Sequence, residues 1–234
     1  MKKKIRTALY DAFEAPNPQR KHDFLKDVKQ PGIGYFKFML LQASYIRKRV
    51  WGLSVAIFAV ALIGGGLMER DVVWVLSALM PYLAAASISE NVRSQMYGMA
   101  ELEMASRFSL KSVILARMGI LGAFHSILLG LIIPLGHMYG VSTALQTGVY
   151  LLVPYLLTNA GGLWLVRKIR SKETSYVCMG YAMIISAFPI VSKYTITLLY
   201  QPEVFGWWLV LLAILCVATV VEHRKTVIRT EELV

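Results

Sequence analysis

Six runs of roughly 20 residues, nearly free of charge, restrict the fold of this 234-residue chain more than any motif does. They cover 50–68, 72–89, 113–135, 145–166, 174–199 and 204–221. A helix of about 20 residues crosses a hydrocarbon layer of roughly 30 Å. Inside lipid every backbone amide and carbonyl needs an internal partner, so only helices or closed barrels span it. The runs are continuously apolar rather than alternating, which selects helices. Composition agrees: 56% of residues are hydrophobic, only 17% are charged, and the mean hydropathy is +0.54, against about 45–50% and about 25% in soluble domains. The expected fold class is an all-α integral membrane protein with six transmembrane helices spread over 50–222.

The net charge of +11 invites a nucleic-acid reading, but its placement argues otherwise. Of the 25 Lys and Arg residues, 12 lie in 1–49, four in the 2–3 loop through Arg117, four in the 4–5 loop and three in the tail. Only Arg70 and Lys193 fall elsewhere. Basic loops stay on the cytoplasmic side, so both termini are expected there, in a cell membrane, with the basic faces against anionic lipid head groups. No nucleic acid is needed to explain the pI. Residues 1–33 are too polar for a cleavable signal peptide and read as a basic cytosolic arm. Residues 34–49 read as an interfacial helix with Tyr35, Phe36 and Phe38 at headgroup depth; the alternative is an extension of the first span. Trp207 and Trp208 are expected as interfacial anchors of the last span. The fifth span either stops near Pro189, leaving 190–204 as a re-entrant piece, or runs to about residue 199. Residues 223–234 read as a cytosolic tail.

Catalytic patterns are absent: there is no H-E-x-x-H, no G-x-S-x-G and no phosphate-binding G-x-x-x-x-G-K-[ST]. No cofactor or metal site is expected in this chain, and Cys178 and Cys216 both sit inside apolar runs as buried thiols. His125 is either a packing residue or a lining residue of a polar path. Lys193 is expected to snorkel to the outer interface, though it too is a possible pathway residue. Glu90 and Arg93 are spaced for a local helical pair.

The longest polar segment, 89–118, separates the second and third apolar runs. Residues 99–107 form a strong helix pattern, Arg107-Phe108 interrupts it, and Ser109 stands where its hydroxyl would cap the next helix. The stretch 101–117, ELEMASRFSLKSVILAR, resembles the coupling-helix motif E-L-L-L-S-x-P-[VI]-S-R-x-E-[LI]-x-[LA]-[GA]-[KR] of type-2 ATP-binding-cassette (ABC) exporter permeases. Glu101, Leu102, Ser109 and Arg117 match; Arg107 stands in place of the usual proline and Ser112 in place of an acid. The resemblance implies a transmembrane permease subunit that is not itself an enzyme, with ATP bound by separate ATPase subunits. It also implies a second permease chain, a copy or a paralogue, with the interface on spans rich in small residues such as the first or the fourth. The ATPase-coupling residues would be Glu101, Leu102, Met104, Ala105, Phe108 and Ser109. The readings from other classes are a membrane-embedded enzyme or assembly factor, and a secondary transporter. Nothing in the chain names a substrate.

Overall fold

Helix follows helix in the computed structural model, and no strand occurs among the described residues, which are 34–68, 72–96, 110–138, 143–169, 173–195 and 202–231. The elements are α1 Tyr35–Tyr45, α2 Lys48–Met68, α3 Val72–Met96, α4 Leu110–Met138, α5 Ala144–Lys168, α6 Thr174–Thr195, a 3-10 turn Pro202–Val204 and α7 Phe205–Glu231. The chain divides into two compact units, Met1–Lys37 and Phe38–Val234. The described part of the first is its last four residues, in which Tyr35 and Phe36 are exposed. The second holds the bundle.

Five helices are long and apolar enough to cross a bilayer: Val73–Asn91, Ser112–Pro134, Ala144–Lys168, Thr174–Thr195 and Phe205–Ile228. This is the architecture of a multi-pass membrane protein. Side-chain contacts give the helix directions. Ser77 meets Tyr150 and Ile88 lies against Gly162, so α3 and α5 run parallel. Tyr181 meets Leu157 and Cys178 meets Gly162, so α6 runs against α5. His125 meets Tyr155 and Ile133 lies against Gly148, so α4 does too. Arg167 meets Glu222 near the shared ends of α5 and α7. Successive helices therefore alternate in direction. Arg47, Glu90, Arg167 and Glu222 collect at one end of the bundle, and Trp74, Tyr150, Pro189 and Trp208 near the other.

The central helix is α5, which packs on α3, α4, α6 and α7. Its start is set locally: Thr143 Oγ1 accepts the Gln146 amide at 3.4 Å, and Gln146 Oε1 accepts the Thr143 amide at 3.2 Å. That reciprocal pair satisfies two of the amides a helix start leaves open. Arg167 and Lys168 in its last turn suit the negative end of the helix dipole. The main core joins Ile57, Leu76, Met80, Leu83, Leu129, Leu151, Val153 and Leu215. Lipid tails are as apolar as these side chains, so close packing and interhelical hydrogen bonds hold such a core, not exclusion of water.

Close packing is most visible at Gly161 and Gly162. A Cβ on Gly161 would collide with the Tyr181 ring and hydroxyl, and one on Gly162 would sit 2.5 Å from Ile88 Cδ1. The sequence offers this pair as an inter-chain surface on the fourth span; the structure uses it inside the chain. By contrast Gly119, Gly122 and Gly130 on α4 have nothing within 4 Å. Gly161→Leu is expected to destabilise the fold by about 1–3 kcal/mol through overpacking, and Gly122→Leu to leave it unchanged or slightly firmer. Thermal unfolding of the purified protein in detergent, read by loss of its monodisperse peak, distinguishes the two.

Several sequence expectations change. The polar segment begins later than expected, because α3 runs on to Met96 with Glu90 and Asn91 both buried. Glu90 pairs with Arg47 at 3.5 Å, across the bundle end; the Arg93 side chain lies outside those described. Of the two readings of the fifth span the structure has the longer, with α6 running through Pro189 to Thr195. Pro189 is buried among neighbouring helices, where a lost backbone bond is more easily tolerated. The 223–234 tail is helical through Glu231, as a continuation of α7. Glu222 fixes that continuation through Arg167, Lys225 and its own carbonyl, which accepts the Thr226 hydroxyl. Only one of the two tryptophans faces outward. Trp207 is 74% exposed, whereas Trp208 is 8% exposed and packs edge-on against Tyr150, with ring centroids 5.3 Å apart. Cys178 is buried as expected, but Cys216 is exposed on α7. Residues 34–49 are broken by a bend at Ile46 and Arg47, so α1 and α2 are separate helices.

Candidate functional site

Two features of the bundle interior have site-like chemistry. The first is polar and centres on His125, halfway along α4 and 1% exposed. Ser54 Oγ on α2 donates to the Val50 carbonyl at 2.9 Å, which uses its proton within the helix. The 3.4 Å contact between Ser54 Oγ and His125 Nε2 then assigns the imidazole proton to Nε2, donating to the hydroxyl oxygen. That leaves Nδ1 as an acceptor, and the Tyr155 hydroxyl of α5 donates to it at 3.0 Å. The chain of bonds runs Tyr155 to His125 to Ser54 to the Val50 carbonyl, and it ties α2, α4 and α5 together. Both ring nitrogens are satisfied with a neutral imidazole. A charge at membrane depth is costly and a neutral ring is not.

Hydrogen bonds of this kind between membrane helices contribute about 0.6 kcal/mol each and up to about 1.7. A double-mutant cycle with His125→Phe and Tyr155→Phe is expected to give a coupling in that range in detergent unfolding. His125→Gln, which can keep one bond, should lose less than His125→Phe. A cycle with no coupling would mean that the two groups do not interact.

The second feature is an apolar cavity of about 360 Å³ between α3, α5, α6 and α7. Trp74, Tyr150, Phe188, Trp207 and Trp208 give it an aromatic wall, and Pro154 and Pro189 both face it. Ser77 also lines it and donates to the Tyr150 carbonyl at 2.8 Å. Sequence reasoning did not find this cavity. Its walls come from four segments, and each contributes residues that look like ordinary span positions.

The residues singled out from sequence fare unevenly. Glu101, Leu102, Met104, Ala105, Phe108 and Ser109 lie outside the described residues. His125 is placed in the bundle interior with partners that spacing could not reveal, Ser54 and Tyr155 being 71 and 30 positions away. Lys193 occupies the last turn of α6, with its ammonium 5.1 Å from the centroid of the Tyr194 ring. A cation there complements the helix's negative end. His125 and Lys193 are not brought together: His125 is midway along α4, and Lys193 is at the end of α6 farther from Glu90 and Arg167. At the charged end, Asn159 and His223 approach to 3.4 Å, a second polar tie between α5 and α7 that the sequence did not suggest. No group of three His, Cys, Asp or Glu side chains able to hold a metal occurs among the described residues.

Compared with known proteins, the chain matches no family model, no curated protein and no solved structure.

Proposed function

We propose that this chain is the transmembrane permease subunit of an ABC exporter, driven by a separate ATPase. The observation that carries the reading is the 101–117 sequence, whose pattern is that of a helix, a break and a capping serine, falling in the chain after α3 and running into α4. Helix α2, 21 residues long, would be the first of six spans, with both termini cytosolic and α1 lying along the inner membrane surface.

The geometry near that stretch suits a lever. Residues 97–109 join the end of α3 to the start of α4 at the charged end of the bundle. Nearly two turns before α3 ends, Glu90 is held by Arg47 at the corner between α1 and α2. A push on the 2–3 segment would be carried into α3 and α4 by the chain itself, and into the α1–α2 corner by that ion pair. Interfaces that repack between two arrangements are the usual means by which a small displacement becomes a switch in access.

Six spans are half of a transport unit, so a second permease chain is required. Gly64 of the first span is buried within the chain, and the glycines of the fourth are closely covered there too. Helix α4, with Gly119, Gly122 and Gly130 uncovered, is the better-placed face for close approach of another helix. Affinity purification in mild detergent tests the whole reading. An ATPase with Walker motifs and a second permease chain should accompany the tagged protein in near-stoichiometric amounts. Purification of this chain alone, under conditions that preserve other membrane complexes, would count against it.

A further inference from the structure

The aromatic cavity is open on one side. Of the residues that line it, Ile184 and Phe188 on α6 and Trp207 and Leu211 on α7 are themselves exposed, while Val153, Pro154, Pro189 and Trp208 at its back are buried. Its mouth is therefore the gap between α6 and α7. All of these residues lie within segments apolar enough to cross a bilayer, so a bilayer around the bundle would bring lipid to the mouth.

From this we propose that the cavity is a binding site for one acyl chain of a bilayer phospholipid, which enters sideways between α6 and α7 from the leaflet at the charge-poor end. Three observations favour that occupant. The wall is almost entirely carbon, and its one aliphatic hydroxyl, on Ser77, is already engaged with the Tyr150 carbonyl. A polar or charged ligand would lose hydration without recovering hydrogen bonds. The space of about 360 Å³ is at the small end of ligand pockets, which run from about 300 to 1,000 Å³. At about 30 Å³ per water-sized group it accommodates roughly ten methylenes, a chain rather than a ring system with a head group. Finally, transfer from lipid to an apolar cavity gains nothing from leaving water, so retention depends on close contact with the wall. Flat rings from Trp74, Trp208 and Phe188 supply that contact. The inference needs only a bilayer around the bundle and is independent of whether the chain serves an exporter.

Fluorescence quenching in vesicles tests it. A variant that keeps Trp208 and has Trp51, Trp74, Trp164 and Trp207 replaced by Phe is reconstituted in phosphatidylcholine brominated on its acyl chains. Trp208 is buried, so bulk lipid reaches it poorly, whereas a chain in the cavity lies against it. Its emission should be quenched about as strongly as that of a matching variant keeping only Trp164, which is 44% exposed. Filling the cavity with Val153→Phe should reduce Trp208 quenching at least two-fold and leave Trp164 quenching unchanged. Leu211→Phe, at the mouth, is the second filling variant should the first fold poorly. Weak quenching of Trp208 beside strong quenching of Trp164 would overturn the proposal, as would quenching indifferent to both filling variants. Quenching that appears only when the protein is diluted in lipid would assign the mouth to a second copy of the chain, and would also overturn it.

Discussion

Replacing Phe108 by Asp is expected to strip the ATPase from the purified protein while leaving the membrane domain folded. Phe108 is the largest apolar residue of the 101–109 stretch, and it follows the helix pattern directly. A docked helix is held by a few large apolar anchors seated in pockets, and loss of one costs about 2 kcal/mol or more, roughly thirty-fold in affinity. A carboxylate placed in such a pocket costs further, because it is desolvated without a partner. Glu101 and Glu103 would meet basic groups of the ATPase, and charges of this kind orient a complex more than they tighten it. Glu101→Lys should therefore slow association and raise its salt sensitivity. Ser109→Ala removes the helix cap expected from the sequence, worth about 1 kcal/mol, and should have the mildest effect. Each variant is compared with wild type for monodispersity in detergent, co-purified ATPase and coupled hydrolysis. If Phe108→Asp and Glu101→Lys both retain partner and activity, the 2–3 segment is an ordinary loop and the exporter reading loses its main support.

The second large effect is all-or-none. In a background carrying Cys178→Ala and Cys216→Ala, a membrane-impermeant maleimide should label Arg70→Cys, Gly140→Cys and Gln201→Cys on intact cells. Arg20→Cys, Ala105→Cys, Arg170→Cys and Arg229→Cys should react only after permeabilisation. The pattern follows from the distribution of Lys and Arg, with Arg70 and Lys193 the sole exceptions. It also tests the six-span count, since α2 must cross for position 70 to be outside. Labelling of position 105 or 170 from outside would remove the topology, and with it any contact between the 2–3 segment and a cytosolic ATPase.

What was legible in the sequence was legible because it is local. A bilayer leaves each spanning segment to satisfy its own backbone, so the length and apolarity of a run announce a helix without knowledge of its neighbours. The helices α3 to α7 overlap the runs read from the sequence, and the differences fall at their ends. Helix α3 outlasts its apolar run because Glu90 and Asn91 are buried against other elements. Helix α7 outlasts its run because Glu222 is held by Arg167 of α5, 55 positions away. Proline is an ambiguous local signal: at position 189 the sequence left both readings open, and the structure has the helix running on with Pro189 buried beside other helices.

The membrane class, the helical content and the apolar runs were thus determined by the sequence alone, through the need of every backbone group in lipid for an internal partner. Only the tertiary structure decided which polar residues meet and where space remains. Ser54, His125 and Tyr155 come from three helices, and their chain of hydrogen bonds exists only once those helices pack. Trp207 and Trp208 are adjacent in sequence, yet one faces outward and the other fills the core, because neighbours on a helix point about 100° apart. Gly161 and Gly162 become sites of close approach only when Tyr181 and Ile88 arrive against them. A cavity is what packing leaves unfilled, so it belongs to no segment of the chain and has no signature in any of them.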